Sequence, residues 1–267
     1  IRERLAAIAG VHFFTLAINP AEQRAVVAVR VELDRFASSE PLTVEVDLGG
    51  VAAQTLTVTG DTATAYLTVE ALRLWWTHDL GEPYRYPLTV TLSHDGDELA
   101  RDTRQVGIRT LELDQSVDTE EPGTRFFRFV LNGVPVFARG ANWIPTDSFV
   151  GAIPDAQYEM LLTAARDANM TILRIWGGGI YEHDIFYDLC DRLGIMVWQD
   201  FMFACAMYPE YDPAFVESVR AEATYQVRRL RSHPCLALWC GNNENQWIHE
   251  QVNWDKGYQQ APGALYY

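Results

Sequence analysis

Four short polar clusters, each closing an apolar run, could do chemistry: Asn142-Trp143, residues 174–179, Gln199-Asp200-Phe201 and Asn242-Asn243-Glu244. Together they hold the carboxylates Asp200 and Glu244, the guanidinium of Arg174, several amides, and the indoles of Trp143 and Trp176. Carboxylates and amides bind sugar hydroxyls, and aromatic faces stack on pyranose rings. The composition is that of a carbohydrate site, although a general polar pocket draws on the same residue types. Glycoside hydrolysis usually needs two carboxyls flanking the scissile bond, one of them protonated to serve the leaving oxygen. Partial burial or a neighbouring carboxylate keeps such a proton in place. Glu244 directly follows a strongly apolar strand, a position expected to face a pocket mouth. On its own it reads equally well as a solvated loop glutamate.

The elements that position these clusters alternate strand and helix. A run Val136-Phe137-Ala138-Arg139-Gly140 is followed by a helix over 155–168 with Pro154 just before it; Leu161, Ala164, Ala165 and Ala168 are expected to share its apolar face. A strand over 171–176 leads to a helix over Asp184–Leu193, with Phe186, Leu189, Cys190 and Leu193 as its stripe and Gly194 as its stop. A strand over 195–199 follows. A third helix opens on Asp212 as N-cap and Pro213 at its first position, and ends near Arg231, before His233-Pro234. The strand Leu236–Cys240 then delivers Glu244. Four strands with parallel-type crossovers make half of a (β/α)₈ barrel, whose functional residues gather at the C-terminal strand ends. A doubly wound open sheet competes, but Gly177-Gly178-Gly179 departs from G-x-G-x-x-G and no helix begins directly after it.

Before this region the periodicity is two. In Val27-Ala28-Val29-Arg30-Val31-Glu32-Leu33 the odd positions are apolar, and Leu42, Val44, Val46 and Leu48, then Leu56 and Val58, then Leu88, Val90 and Leu92 repeat the pattern. Gly49-Gly50, Gly60-Asp61 and His94-Asp95-Gly96-Asp97 punctuate the runs as turns. Short strands at this spacing predict an antiparallel sandwich of immunoglobulin-like type, without the Cys…Trp…Cys pattern of a true immunoglobulin domain. The expected organisation is multidomain, β then α/β: an immunoglobulin-like β-sandwich over 1–113, an acidic linker over 114–125, and an incomplete (β/α)₈ TIM barrel, strands 1–4, over 126–267. A hairpin about Asn132-Gly133 opens the last part.

A net charge of −15 argues against nucleic acid or an anionic membrane as partner and fits a neutral substrate. No apolar run reaches the roughly 18 residues a membrane helix needs. Cys190, Cys205, Cys235 and Cys240 lie in apolar surroundings and read as buried free thiols, which favours a reducing, cytoplasmic setting. The N-terminus lacks a signal-peptide pattern, which in an excised piece says nothing about the parent. Cys235 and Cys240 lack a second pair at finger-like spacing, so a zinc site is not indicated.

Four segments, in order, carry a family resemblance: Trp143-Ile144-Pro145-Thr146-Asp147-Ser148-Phe149, Leu173-Arg174-Ile175-Trp176-Gly177-Gly178-Gly179-Ile180-Tyr181-Glu182, Val197-Trp198-Gln199-Asp200-Phe201-Met202-Phe203-Ala204-Cys205 and Trp239-Cys240-Gly241-Asn242-Asn243-Glu244. They resemble the β-mannosidases of glycoside hydrolase family 2, densely over 126–267 and loosely over the sandwich, where Val106-Gly107-Ile108-Arg109 marks the exit. The resemblance implies an exo-acting, retaining enzyme that removes terminal non-reducing β-D-mannosyl residues from a β-mannoside or manno-oligosaccharide. By it Glu244 is the general acid/base, and Asn243 binds the sugar 2-hydroxyl. Arg174 resembles the arginine that holds the nucleophile, and Trp176 an aromatic wall of the −1 subsite. Asp200, Asn142, Trp143 and Trp254 are further pocket candidates, with Trp247 competing for the role of Trp254; His183 reads as a loop-ordering residue.

The family's nucleophilic glutamate sits on a seventh strand, beyond Tyr267, and Glu250 lies too near Glu244 to replace it. The resemblance also implies that a jelly-roll domain precedes this region in the parent, and that the piece alone is inactive. No residue set obliges a metal or organic cofactor, and the implied mechanism needs none. Oligomeric state is left open. Other exo-glycosidases of the family (β-galactosidase, β-glucuronidase, exo-glucosaminidase) and a non-catalytic carbohydrate-binding remnant are the competing readings; Gly241-Asn242-Asn243-Glu244 with the Trp-Gly-Gly-Gly run favours mannosidase.

Overall fold

The structure, a computed structural model, describes residues 5–36 and 40–252. It divides into two compact units: residues up to Trp76 with Glu82–Pro135, and Thr77–Gly81 with the residues from Val136 on.

The first unit is built from strands β1 (Ala6–Asn19), β2 (Arg24–Arg35), β3 (Leu42–Leu48), β4 (Ala52–Val58), β5 (Thr62–Val69), β6 (Tyr86–His94) and β7 (Asp97–Val106). They form two antiparallel sheets, ordered β1-β2-β5 and β4-β3-β6-β7, which bury one core between them. Every apolar position expected from the period-two runs of β2, β3 and β6 is buried, with Val27, Val29, Val44, Val46, Leu88 and Val90 fully so. Each such side chain contributes about 1.5–3 kcal/mol relative to exposure. Asp95 and Gly96 both have positive φ (50° and 88°), the geometry of a two-residue hairpin loop that matches strand twist.

Three strands escaped the periodicity reading. Pairing irregularities at Ile8/Gly10 and Thr15/Ala17 interrupt the alternation of β1. The inner face of β5 uses the small residues Ala63 and Ala65 beside Leu67 and Val69. β7 lies at a sheet edge and half of its residues are charged, which discourages pairing with other chains.

A small sheet follows, ordered β10-β9-β8, from β8 (Leu111–Asp114), β9 (Arg128–Leu131) and β10 (Val134–Val136). Asn132 and Gly133, with φ of 50° and 80°, make the expected turn. The acidic stretch over 114–125 connects β8 to β9 and is pinned by a bridge between Val117 and Arg125.

The second unit holds a parallel sheet ordered β11-β12-β13-β14, with β11 (Gly140–Trp143), β12 (Ile172–Ile175), β13 (Met196–Asp200) and β14 (Leu236–Cys240). The crossovers carry α1 (Asp155–Asp167), α2 (Asp184–Leu193) and α3 (Pro213–Leu230), and α4 (Asn245–Val252) follows β14. Helix punctuation acts as expected: Gly194 is left-handed at φ 69°, and the Asp212 carboxylate accepts from the Ala214 amide. Thr77–Gly81 joins this unit through His78, whose amide donates to the Gly194 carbonyl and whose Nε2 lies 2.9 Å from the Met170 carbonyl oxygen.

Two expectations shift. The first parallel strand is Gly140–Trp143, not the run centred on Ala138, because Gly140 must approach β12 closely: a Cβ there would lie 1.7 Å from the Ile172 carbonyl oxygen. The buried face of α1 is Tyr158, Leu162 and Ala165, while Ala164 and Ala168 are exposed. The bulky i, i+4 pair sets the face, and the alanines do not.

Candidate active site

Register assigns each strand-end residue to a face. In the parallel ladder Asn142 pairs with Arg174 and Arg174 with Trp198, while Asp200 pairs with Cys240. Paired residues share a face and alternate residues return to it, so Asn142, Arg174, Trp198, Asp200 and Cys240 stand on one side of the sheet. Trp143, Ile175 and Gln199 stand on the other.

Asp200 organises the first side. It is fully buried, and its carboxylate accepts from Arg174 Nε at 3.2 Å and Nη2 at 2.7 Å, from the Gly177 amide at 3.1 Å and from Trp198 Nε1 at 2.9 Å. A buried carboxylate is tolerated when paired and fully hydrogen-bonded, and this one is. Its oxygens are therefore engaged by Arg174, Gly177 and Trp198. Trp198, on the inward parity of β13, also carries the guanidinium 5.5 Å from its ring centroid. Sequence reasoning passed over it, though its i, i−2 spacing from Asp200 was the available signal.

Arg174 continues the network: its Nη2 donates to Asn243 Oδ1 at 2.9 Å, and Asn243 Nδ2 donates to Cys205 Sγ at 3.3 Å. Cys205 Sγ in turn lies 3.6 Å from Glu244 Oε2. The segment after β13 is zipped to the segment after β14, with Asn243 N bonded to Phe203 O and Cys205 N to Asn243 O. Cys205 and Glu244 both adopt left-handed backbone, φ 49° and 61°. Such conformations in non-glycine residues cost of order 1–3 kcal/mol each and concentrate at functional sites. Burial, reinforced by Glu244 and opposed by the Asn243 amide, pushes the Cys205 thiol up, so it keeps its proton at neutral pH.

Glu244 is exposed, not partly buried as expected for a carboxyl that holds a proton. The described residues supply it with the Cys205 contact on one side and no enclosing wall. Trp176 is half-buried, and its backbone amide bonds to the Trp143 carbonyl at 3.1 Å, which extends the ladder past β12. The glycine run after it is steric in origin. A Cβ on Gly177 would meet the Phe203 carbonyl oxygen at 2.5 Å, and one on Gly178 would meet the Trp176 ring at 2.1 Å. Asn142 is exposed on the same face as Arg174.

Trp143 stands apart from this network. Its indole is 9% exposed, donates to Glu182 Oε1 at 2.9 Å and packs on Phe186 and Tyr158, within the helix-side core. Adjacent strand residues face opposite ways, so Asn142 and Trp143 cannot both line one pocket. Glu182, itself buried, also accepts from the Tyr158 hydroxyl at 2.6 Å and so ties the glycine-rich loop to α1. Burial and then this contact push the Tyr158 phenol up, keeping it a donor. His183 precedes α2 with its ring 5.9 Å from that of Tyr158. Trp247 is exposed on α4, and Trp254 lies outside the described residues.

Cys190 and Cys235 are buried, as expected of free thiols; Cys205 and Cys240 are only half-buried. Asp191, His233 and Cys235 gather within 4.8 Å, close enough to consider a cation. Both Asp191 oxygens are already engaged, one at 2.7 Å from His233 Nδ1 and the other accepting the Cys235 amide at 2.9 Å. The cluster is a hydrogen-bonded clasp between α2 and the approach to β14.

A buried carboxylate paired with a partly buried arginine at parallel strand ends, with a glutamate on the next turn, is the arrangement found here. Residues 8–109 match the model for glycosyl hydrolases family 2. The sandwich region thus resembles the hydrolases of that family.

Within it the likeness is to β-mannosidases. The chain is 50% identical over 188 residues to the β-mannosidase of Rattus norvegicus, covering 70% of this chain and 21% of the relative. It is 37% identical over 251 residues to β-mannosidase B of Thermothelomyces thermophilus, covering 93% of this chain and 28% of that one. The crystal structure of the β-D-mannosidase from Dictyoglomus thermophilum superposes with a TM-score of 0.85 at 39% identity, over 91% of this chain and 30% of its own. The chain therefore spans between about a fifth and a third of the length of these proteins.

Proposed function

We propose that this chain is the central part of an exo-acting, retaining β-mannosidase, with Glu244 as general acid/base. In this reading residues 1–113 are its immunoglobulin-like sandwich, 114–125 a linker, and 126–267 the first four strands of a (β/α)₈ barrel. The observation that carries it is the connected network Asp200–Arg174–Asn243 at the C-terminal strand ends, ending beside Glu244. Barrel enzymes place their chemistry at that end.

The mechanism follows from the side chains. Glu244 protonates the departing glycosidic oxygen, then deprotonates the water that releases the sugar from the enzyme. Asn243, fixed by Arg174, presents the second N–H of its amide to the sugar 2-hydroxyl. Trp176 offers an aromatic face, and exposed Asn142 a further polar contact. The nucleophile has to stand about 5–5.5 Å from the acid. Among the described residues the other carboxylate of this network is Asp200, and its oxygens are occupied by Arg174, Gly177 and Trp198. By the likeness to β-mannosidases the nucleophile belongs to a later strand of the parent, whose walls also enclose Glu244, and the 267-residue piece alone is inactive.

The test is a panel of aryl β-glycosides differing in one hydroxyl configuration, assayed on the complete protein. Selective turnover of the manno epimer is expected. Preference for the galacto or gluco epimer, or for a glucuronide, assigns it to another specificity.

A further inference from the structure

Cys205 is the member of the network that the proposed mechanism leaves without a role. Its sulfur accepts from Asn243 Nδ2 at 3.3 Å and lies 3.6 Å from Glu244 Oε2. The thiol is a weak donor and a weak acceptor at once; here it has one donor partner, Asn243 Nδ2, and two acceptors in reach, of which Glu244 Oε2 at 3.6 Å is nearer than the Asn243 carbonyl at 4.0 Å. The backbone also pays to put it there. Cys205 and Glu244 are both left-handed, and the amide of Cys205 is bonded to the carbonyl of Asn243, the residue preceding Glu244. Two left-handed residues locked across a parallel bridge between Ala204 and Asn243 hold sulfur and carboxylate face to face.

We infer that Cys205 is a positioning residue for Glu244: its S–H donates to the carboxylate and orients it. This extends the network from Asp200 through Arg174, Asn243 and Cys205 to the proton-transfer group. Linked hydrogen bonds polarise one another, so the Arg174 charge is felt at the far end. Burial keeps the proton on sulfur, which makes it the donor and not a thiolate nucleophile. Asn243 is thereby held from both ends of its amide, by Arg174 and by Cys205.

The inference rests on Glu244 being the acid/base, and predicts a specific pH signature. A donor on a carboxylate favours its charged form. Cys205→Ala removes the donor, favours the protonated acid, and moves the alkaline limb of the kcat/KM profile upward by about 0.3–1 pH unit. Cys205→Ser keeps a donor and restores the limb most of the way. Among the described residues the other titratable or charged groups on these segments include Arg174, Asp200, Tyr208, Glu210 and Cys240, and neither substitution replaces them.

The experiment measures kcat/KM against pH for the complete protein, Cys205→Ala, Cys205→Ser and Glu244→Gln, using an alkyl β-mannoside that needs protonation of its leaving group. Should the alanine variant fail to fold, Cys205→Val fills the thiol's space without a donor. An upward limb in the alanine or valine variant, restored by serine, is the expected result. A uniform loss with an unmoved limb, or equal limbs in alanine and serine variants, overturns the role of Cys205. Full activity of Glu244→Gln instead overturns the reading of Glu244 itself, so the two failures are separable.

Discussion

Asp200 is a fully buried carboxylate held by four hydrogen bonds, so its removal is costly. Breaking a buried pair by removing one partner costs about 3–5 kcal/mol, because the other charge is left uncompensated. Arg174 retains partial solvent access, so the lower end applies to Asp200→Ala. Chemical denaturation reads this, and a cost below about 1 kcal/mol contradicts the pairing. Trp143 supplies the opposite test. Trp143→Phe leaves a Glu182 oxygen short of its donor, at about 1–3 kcal/mol, yet leaves KM within about twofold. A large rise in KM returns Trp143 to the pocket. The parity of β11 already held this answer, since Asn142 and Trp143 are neighbours in one strand. The Cys205–Glu244 contact was not legible in the same way. It depends on two irregular segments meeting through backbone hydrogen bonds, and no local pattern encodes that meeting.

At the scale of elements, the α/β part was legible because its punctuation is local: Pro154, Gly194 and Asp212-Pro213 bound their helices through their own backbone chemistry. The edge strand β7 and the alanine-faced β5 were not, because their burial is decided by partners far away in sequence. Gly178 joins an element to the site. Gly178→Ala forces the Trp176 ring to move, and if that ring lines the sugar pocket as proposed, a displacement near 1 Å costs about 10²-fold in rate. Steady-state kinetics on the complete protein, with unchanged thermal stability, is the check.

The clasp at the approach to β14 predicts a pH dependence of stability. Burial alone disfavours the His233 cation, but the facing Asp191 carboxylate, with Asp188 and Asp184 beyond it, raises the histidine above its ordinary value. A group with a raised folded-state value contributes stability that is fully present below the unfolded value, about 6.5. That contribution is lost as pH rises through the raised value. The melting temperature of the wild type should therefore exceed that of His233→Gln most on the acid side, with the gap narrowing above neutrality. A gap that widens with pH contradicts the assignment.

On the scale of the whole molecule, the second unit offers unfinished surfaces. Every residue of β14 is half-exposed at the end of the described sheet, and Val216, Val219, Ala223 and Val227 of α3 line an open groove. Open strand edges and uncovered apolar stripes invite further pairing. Both features fit a chain that spans a fraction of its relatives' length, with later strands and helices covering them in the proposed barrel.

The central claim is that Glu244 moves the proton, and it is tested most directly by hydrolysis of a β-linked mannobiose by the complete protein and by its Glu244→Gln variant. The account predicts a loss of at least about 10²-fold in the variant, the usual worth of a general acid, with folding unchanged. A variant that keeps its rate within a few-fold of the wild type contradicts it.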